Sequence, residues 1–140
     1  MTTITNLAAP VGRILLALIF ITAGLSKAGD IPGTAAFIES GGLPGFLVYP
    51  TILLELIGGI MIAVGFQARW TALALAGFCI LSGFLFHYLP AQSLEGFARW
   101  GEMNNFMKNV AISGGFLMIF AHGSGAWSLD NMRGRNSAHA

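Results

Sequence analysis

The sequence has few charged residues, and this shortage narrows the possible classes of protein. Lysine, arginine, aspartate and glutamate together make up 9% of the 140 residues, against about 25% in a typical soluble domain. Hydrophobic residues reach 55%, so a soluble bundle of this length would lack the charge to cover its surface. Lipid can solvate such a surface instead. The composition therefore predicts one integral membrane domain.

Several kinds of reactive site are also missing from the sequence. Cys79 is the single cysteine, which excludes a thiol–disulfide shuttle within one chain because a shuttle needs two thiols. There is no CxxCH haem attachment, and His87 and His122 fall near opposite ends of predicted spans, so one haem iron cannot bind both. We predict no metal site and no redox centre within the chain, and enzyme activity stays open. A net charge of +1 without a basic run gives no indication of nucleic-acid binding.

The sequence contains several long apolar segments. A membrane span needs about 20 apolar residues, and four segments come close to this length: residues 10–27, 49–66, 70–89 and 106–121. The short connection 67–69 predicts an antiparallel helical hairpin. The longer loops, 28–48 and 90–105, mix apolar and polar residues as a short interfacial helix does. We therefore predict an all-α, membrane-embedded four-helix bundle within residues 1–130, followed by a polar, disordered tail at 131–140.

The positions of lysine and arginine predict the orientation of this bundle. With four spans, both termini and the 67–69 loop lie on one side of the membrane, and that side carries Arg13, Arg69, Arg133 and Arg135. The other side carries Lys27, Arg99 and Lys108. The excess of positive charge places both termini in the cytoplasm. A cleaved signal peptide is the alternative for the first span, but the three later spans favour an uncleaved first helix.

Ionisable side chains within the spans form the first candidate site. Glu55 interrupts the otherwise apolar stretch TILLELIGGIMIAVGF, residues 51–66. The same end of the other three spans carries Lys27, His87, Lys108 and Asn109. Charged groups inside a membrane usually face the bundle interior and pair with one another, so we expect Glu55 to meet Lys27 or Lys108 in a shared polar pocket. Alternatively, a Glu55–lysine pair is only a clamp between helices, and the lysines extend towards the headgroups.

Such a pocket has the chemistry to bind a quinone, although nothing in the sequence requires a cofactor. A quinone ring needs apolar walls and hydrogen-bond donors for its carbonyl oxygens, and His87, Glu55 or Lys108 could serve as the polar group. The nearby aromatic residues are Phe46, Phe84, Phe86, Tyr88 and Phe106. They either line the pocket or, as we favour, form an interfacial belt together with Tyr49 and Trp100.

A second candidate site lies at the opposite end of the predicted bundle. It consists of Arg13, Arg69, Ser128 and Asp130, the last two from the segment GSGAWSLD at 123–130. An ion pair between Asp130 and Arg13 or Arg69 would hold this segment beneath the bundle. We interpret the group as a structural latch.

The order of these segments resembles the DoxX family of small bacterial membrane proteins. The resemblance lies in GRILLALIFITAGLSK (12–27), LLELIGGIMIAVGFQAR (53–69), the pair Phe86–His87, and FMKNVAISGGFLMIFAHGSGAWSLD (106–130). It covers residues 10–130 and implies a multi-pass protein of the bacterial inner membrane. Some members of the family are associated with membrane redox complexes that handle sulfur compounds, quinone or oxidative stress.

We favour an accessory subunit of a membrane redox or oxidative-stress complex, in contact with the lipid bilayer and a redox partner subunit, because the chain is short and its sequence shows no redox centre. Two alternatives stay open. One is a quinone- or small-molecule-binding oxidoreductase subunit, and the other is a small transporter assembled as a homo-oligomer around the same polar groups.

Overall fold

A computed structural model describes residues 3–137, which form helices and turns without a strand. The long helices are α1 (Thr3–Gly29), α2 (Ile31–Ser40), α3 (Val48–Val64), α4 (Ala68–Gly83), α6 (Gly96–His122) and α7 (Leu129–Ser137). A 3₁₀ turn at Gly45–Leu47 leads into α3. A π-helical segment at Phe84–Tyr88 and the short α5 (Leu89–Ala91) continue α4. The predicted all-α fold is confirmed.

Three helical stretches in this part of the chain are long and apolar enough to cross a bilayer. They are Thr3–Gly29, Gly45–Val64 and Ala68–Ala91. Helix α6 has 27 residues, or about 40 Å at 1.5 Å per residue, but its first half carries charged side chains that lower its hydropathy. The number of spans beyond three therefore stays a prediction.

The predicted hairpin between α3 and α4 closes through residues in the left-handed conformation. Gly65 ends α3 with φ 67°, and Gln67 starts α4 with φ 47°. The Gly65 amide donates to Ile62 O and the Phe66 amide to Met61 O, which is the Schellman pattern that glycine permits after a helix. The turn makes α3 and α4 antiparallel.

Close helix contacts set the position of α1 against α3. The added Cβ of an alanine at Gly59 would lie 2.8 Å from Ile21 Cγ1, and one at Gly24 would lie 3.1 Å from the Leu56 amide nitrogen. Small residues permit such an approach between membrane helices. Helix α4 packs chiefly against α6. The core between the two pairs contains Phe20, Ile62, Leu75 and Phe116.

The structure corrects the predicted limits of the fourth helix. Helix α6 begins at Gly96, ten residues before the predicted start at 106, so it absorbs most of the 90–105 loop. The prediction followed the apolar run, whereas the helix extends into a more polar sequence whose first five residues, 96–100, are exposed. The 28–48 loop does contain a short helix, α2, whose first turn is capped by Asp30 Oδ1 accepting from the Gly33 amide at 2.9 Å.

The C-terminal segment, for which the sequence predicts a polar, disordered tail from residue 131, contains a further helix. Helix α7 includes residues up to Ser137, and residues 138–140 lie outside the described part of the chain. Ser128 Oγ accepts from the Asn131 amide at 3.1 Å, which is the contact of a helix N-cap. Asp130 lies in the first turn, where a negative charge interacts favourably with the helix dipole.

Candidate functional site

An ion pair between α1 and α3 forms the centre of the candidate site. Lys27 Nζ donates to both carboxylate oxygens of Glu55, at 2.9 and 2.8 Å. The Glu55 side chain is 5% exposed and that of Lys27 28%. Lys27 comes from the last turn of α1 and Glu55 from the second turn of α3, so the antiparallel helices bring them level. The pair satisfies a carboxylate that lies among apolar side chains.

A second ionisable pair lies at the same end of the bundle. His87 Nδ1 lies 2.7 Å from Glu102 Oε2, and about a third of each side chain is exposed. His87 is held by the π-helical segment at the end of α4, a distortion that is frequent at functional sites. Glu102 comes from the polar first half of α6. Sequence reasoning missed Glu102 as a site residue because its helix was expected to begin four residues later.

A cavity of about 240 Å³ lies beside these pairs. Its polar lining includes Lys27, Glu55, His87 and Asn109, together with the hydroxyls of Thr34, Thr51 and Ser82. Its apolar lining includes Phe20, Phe37, Ile38, Phe78 and Phe86. Helix α2 therefore closes one side of the cavity, while α1, α3, the end of α4 and α6 supply the other sides.

Lys108 does not join this group. It is exposed, whereas the next residue, Asn109, lines the cavity and donates its side-chain amide to Asn105 O at 3.1 Å. Neighbouring helix positions differ by about 100° in direction, and here Asn109 faces the cavity while Lys108 faces outward. Of the two lysines expected to pair with Glu55, Lys27 does so and Lys108 does not.

The aromatic residues divide between the cavity and the surface. Of the five expected near the site, Phe86 lines the cavity, and Phe46 and Phe84 are exposed. Tyr88 packs against both Phe84 and Phe106, with ring centroids 5.3 Å apart in each case. Phe37, which the sequence analysis did not single out, stacks on Phe86 at 4.9 Å and ties α2 to the π-helical segment.

The residues of the predicted latch do come together, but through backbone groups. Arg13 is buried and donates from Nη2 to Trp127 O at 2.7 Å. Asp130 accepts from the amides of Gln67 and Ala68 at 2.8 and 2.9 Å, which caps the start of α4. The expected ion pair of Asp130 with Arg13 or Arg69 does not form among the described residues. Both charges instead satisfy peptide groups left open by turns and helix ends.

The other two members of the latch differ in burial. Ser128 is buried, lies 2.8 Å from Ser124 Oγ and donates to Gly125 O at 2.9 Å. Arg69 is exposed and lies with Asp130 beside a cavity of about 250 Å³. Of these two predicted latch residues, Ser128 is therefore enclosed by its own segment and Arg69 lies at the surface.

Comparison with known proteins identifies the family. The family model described as DoxX matches residues 8–88 of the chain, which is more than half of its length. The chain belongs to the DoxX family. The matched region of this DoxX protein includes Lys27, Glu55 and His87, and it ends before Asn109 and Glu102.

Two relatives cover most of the chain. The DoxX protein is 45% identical to the inner membrane protein YqjF of Escherichia coli (strain K12) over 122 residues, which are 87% of this chain and 88% of the relative. It is 32% identical to the inner membrane protein YphA of the same organism over 122 residues, 86% of each chain. These relatives and the apolar helices identify it as a membrane protein.

A third relative covers a shorter region. The protein named "Putative oxidoreductase CatD" of Bacillus subtilis (strain 168) is 40% identical over 57 residues, 41% of this chain and 42% of the relative. No solved structure gives a significant match.

Proposed function

We propose that this DoxX-family protein is an accessory subunit of a redox or oxidative-stress complex in the inner membrane, and that it binds a small molecule in the cavity beside Lys27 and Glu55. The observation that carries the proposal is the convergence of an ammonium, a carboxylate, an imidazole and an amide on one cavity. Such groups are rare inside membrane proteins and mark functional sites by default. The oxidoreductase named among the relatives supports the link to redox chemistry.

A clamp between helices would explain less of this arrangement. The Lys27–Glu55 pair alone could fix the position of α1 against α3. It would need neither the adjoining cavity nor the second pair, His87–Glu102, at the same level. The polar groups surround open space, and this favours a binding site over a purely structural contact.

The need for electrons from outside the chain supports the role of an accessory subunit. With one cysteine, Cys79, which is buried in α4, the chain has no pair of thiols to carry electrons. The electrons of a redox reaction would therefore be carried by the bound molecule or by a partner subunit, while this chain supplies a binding site and polar groups.

The lining of the cavity fits a quinone-type ring. Lys27 and Asn109 offer hydrogen-bond donors for carbonyl oxygens, and Phe20, Phe78 and Phe86 offer apolar walls. The volume of about 240 Å³ is below the range of about 300–1,000 Å³ for drug-sized ligands, so one substituted ring is a suitable size. A bound quinone would supply the two-electron chemistry, and these residues would bind and orient its ring.

The test is gentle purification of the tagged protein from its native membranes, followed by mass spectrometry of the proteins and small molecules that remain bound. The cavity variant is Asn109→Leu, which replaces the amide by an apolar side chain of similar size and leaves both ion pairs in place. The control is Leu18→Ala, at an exposed position on α1. We expect the control to retain the bound small molecule and the cavity variant to lose it. Identical bound material in both variants would contradict the proposal.

A further inference from the structure

A second cavity, of about 250 Å³, adjoins the first. The two share five lining residues: Ile38, Thr51, Phe78, Ser82 and Phe86. Beyond this common wall the second cavity is apolar, and its lining includes Leu43, Leu47, Pro50, Leu54, Leu81 and Leu85. The two cavities thus lie against one another and differ in chemistry, and we call them the polar half and the apolar half of this region.

The apolar half opens on the side of the bundle. Its lining includes Leu81 of α4, which is 58% exposed, and Pro50 of α3, which is also exposed. Both residues belong to helical stretches with the length and hydropathy of membrane spans. Leu81 precedes Tyr88, the last residue of the π-helical segment, by about 10 Å along the helix axis. The opening therefore lies between α3 and α4, on residues of two candidate membrane spans.

The polar half lies beside partly exposed ionisable side chains. His87 lines it, and the partner of His87, Glu102, is one-third exposed at the same end of the bundle. A water-soluble ligand would need only this half. A ligand that reaches the protein through the bilayer would use the side opening and would leave part of its structure there.

We infer that the ligand of the polar cavity carries an apolar chain, which lies in the adjoining apolar cavity and extends into the bilayer between α3 and α4. This inference rests on the proposed function and deepens it, because it names the ligand as a membrane-soluble amphiphile. The polar head reaches Lys27 and Asn109, and the chain passes Phe86 and Phe78, which line both halves. The polar half is too small to hold head and chain together.

Two neighbouring leucines of α3 provide a matched test. Leu54 lines the apolar cavity only, whereas Leu53 is exposed and lines neither cavity. A Leu54→Trp change fills the apolar half, and Leu53→Trp adds the same bulk on the lipid side. Leu47→Trp, from the 3₁₀ turn before α3, fills the same half from another element and serves if Leu54→Trp does not fold.

The probes share one head and differ in the chain. They are 2,3-dimethoxy-5-methyl-1,4-benzoquinone and the same ring with a decyl chain, and bound quinone is extracted and quantified from protein in lipid nanodiscs against empty nanodiscs. We expect Leu54→Trp or Leu47→Trp to weaken binding of the decyl probe about tenfold, the factor that 1.4 kcal/mol of steric cost produces. Binding of the head-only probe should change by less than about twofold, as for independent sites. Leu53→Trp should bind both probes as the unaltered protein does.

The outcomes separate the two proposals. Equal effects of Leu54→Trp and Leu53→Trp on the decyl probe would overturn the apolar-chain inference while the head-only probe still shows the binding site. Failure of the unaltered protein to bind either probe would overturn quinone binding in the polar cavity and the chain inference with it.

Discussion

The two ends of this bundle use charged residues in opposite ways. At one end, Lys27 pairs with Glu55 and His87 with Glu102, side chain to side chain, around a cavity. At the other end, Arg13 and Asp130 bond to peptide groups of remote segments and hold them together. The first arrangement pairs side chains around a cavity, whereas the second ties backbone segments together beside a cavity of about 250 Å³. We call them the pocket end and the latch end.

The difference shows that a charged residue in an apolar sequence can serve either the fold or ligand binding. A side chain that satisfies backbone groups completes the fold, because open peptide groups away from water are costly. A side chain that meets another side chain beside open space can exchange that partner for a ligand. The predictions below test whether the two ends separate function from stability in this way.

The largest expected effect comes from Lys27→Met at the pocket end. It leaves the nearly buried Glu55 without its partner, and breaking a buried ion pair in this manner costs about 3–5 kcal/mol. We expect the free energy of unfolding in mixed micelles to fall by this order. The double variant Lys27→Met/Glu55→Met should recover most of the loss, since apolar replacement of a buried pair is often neutral.

The double variant also distinguishes between a structural clamp and a binding site as the role of the Lys27–Glu55 pair. We expect it to fold but to lose the small molecule that co-purifies with the unaltered protein. Full retention of that molecule by a stable double variant would mean that the pair is only a clamp.

A smaller loss is expected for Asp130→Ala at the latch end. The change removes the acceptor for the amides of Gln67 and Ala68, and loss of a helix N-cap costs about 0.5–2 kcal/mol. The free energy of unfolding should fall by about 2 kcal/mol, the upper end of that range, because two amides lose their acceptor. Ligand retention should stay unchanged. A variant of normal stability that loses its ligand would remove the distinction between the two ends.

Asp30→Ala tests the same kind of contact at the pocket end. Asp30 caps α2 through one amide, that of Gly33, so the expected loss of stability is about 1 kcal/mol. Because α2 covers the cavity through Phe37 and Ile38, ligand retention should fall in addition. The control is Asp130→Ala, compared under conditions that give the two variants the same stability. Equal retention of the ligand in both variants would show that α2 has no part in binding.

The smallest effect on stability is expected for Glu102→Gln. The His87–Glu102 pair is partly exposed, and such pairs contribute about 0–1 kcal/mol. Ligand retention should fall more than this stability change would explain, because His87 lines the cavity. Glu95→Gln, at the residue just before α6, is the control. Equal retention in the two variants would restrict the His87–Glu102 pair to a structural role.

The helices that bury apolar faces were predictable, and those that continue through polar sequence were not. Residues 10–27 and 49–66 lie largely within α1 and α3 because a long apolar run has no stable alternative to a helix in lipid. The first ten residues of α6 carry charges and asparagines, so their helical state depends on contacts with the π-helical segment and α5. Glu102 was missed for this reason.

The sequence by itself determined the class of fold and the end of each helix at which the polar groups lie, because both follow from the order and length of apolar runs along the chain. Only the tertiary structure decided that Glu55 pairs with Lys27 while Lys108 is exposed, that Asp130 caps α4, and that a polar and an apolar cavity meet at Phe86. These features depend on the rotation and separation of helices, which small residues such as Gly59 set within a few tenths of an ångström. The pattern of residue types along the sequence does not specify this separation between helices.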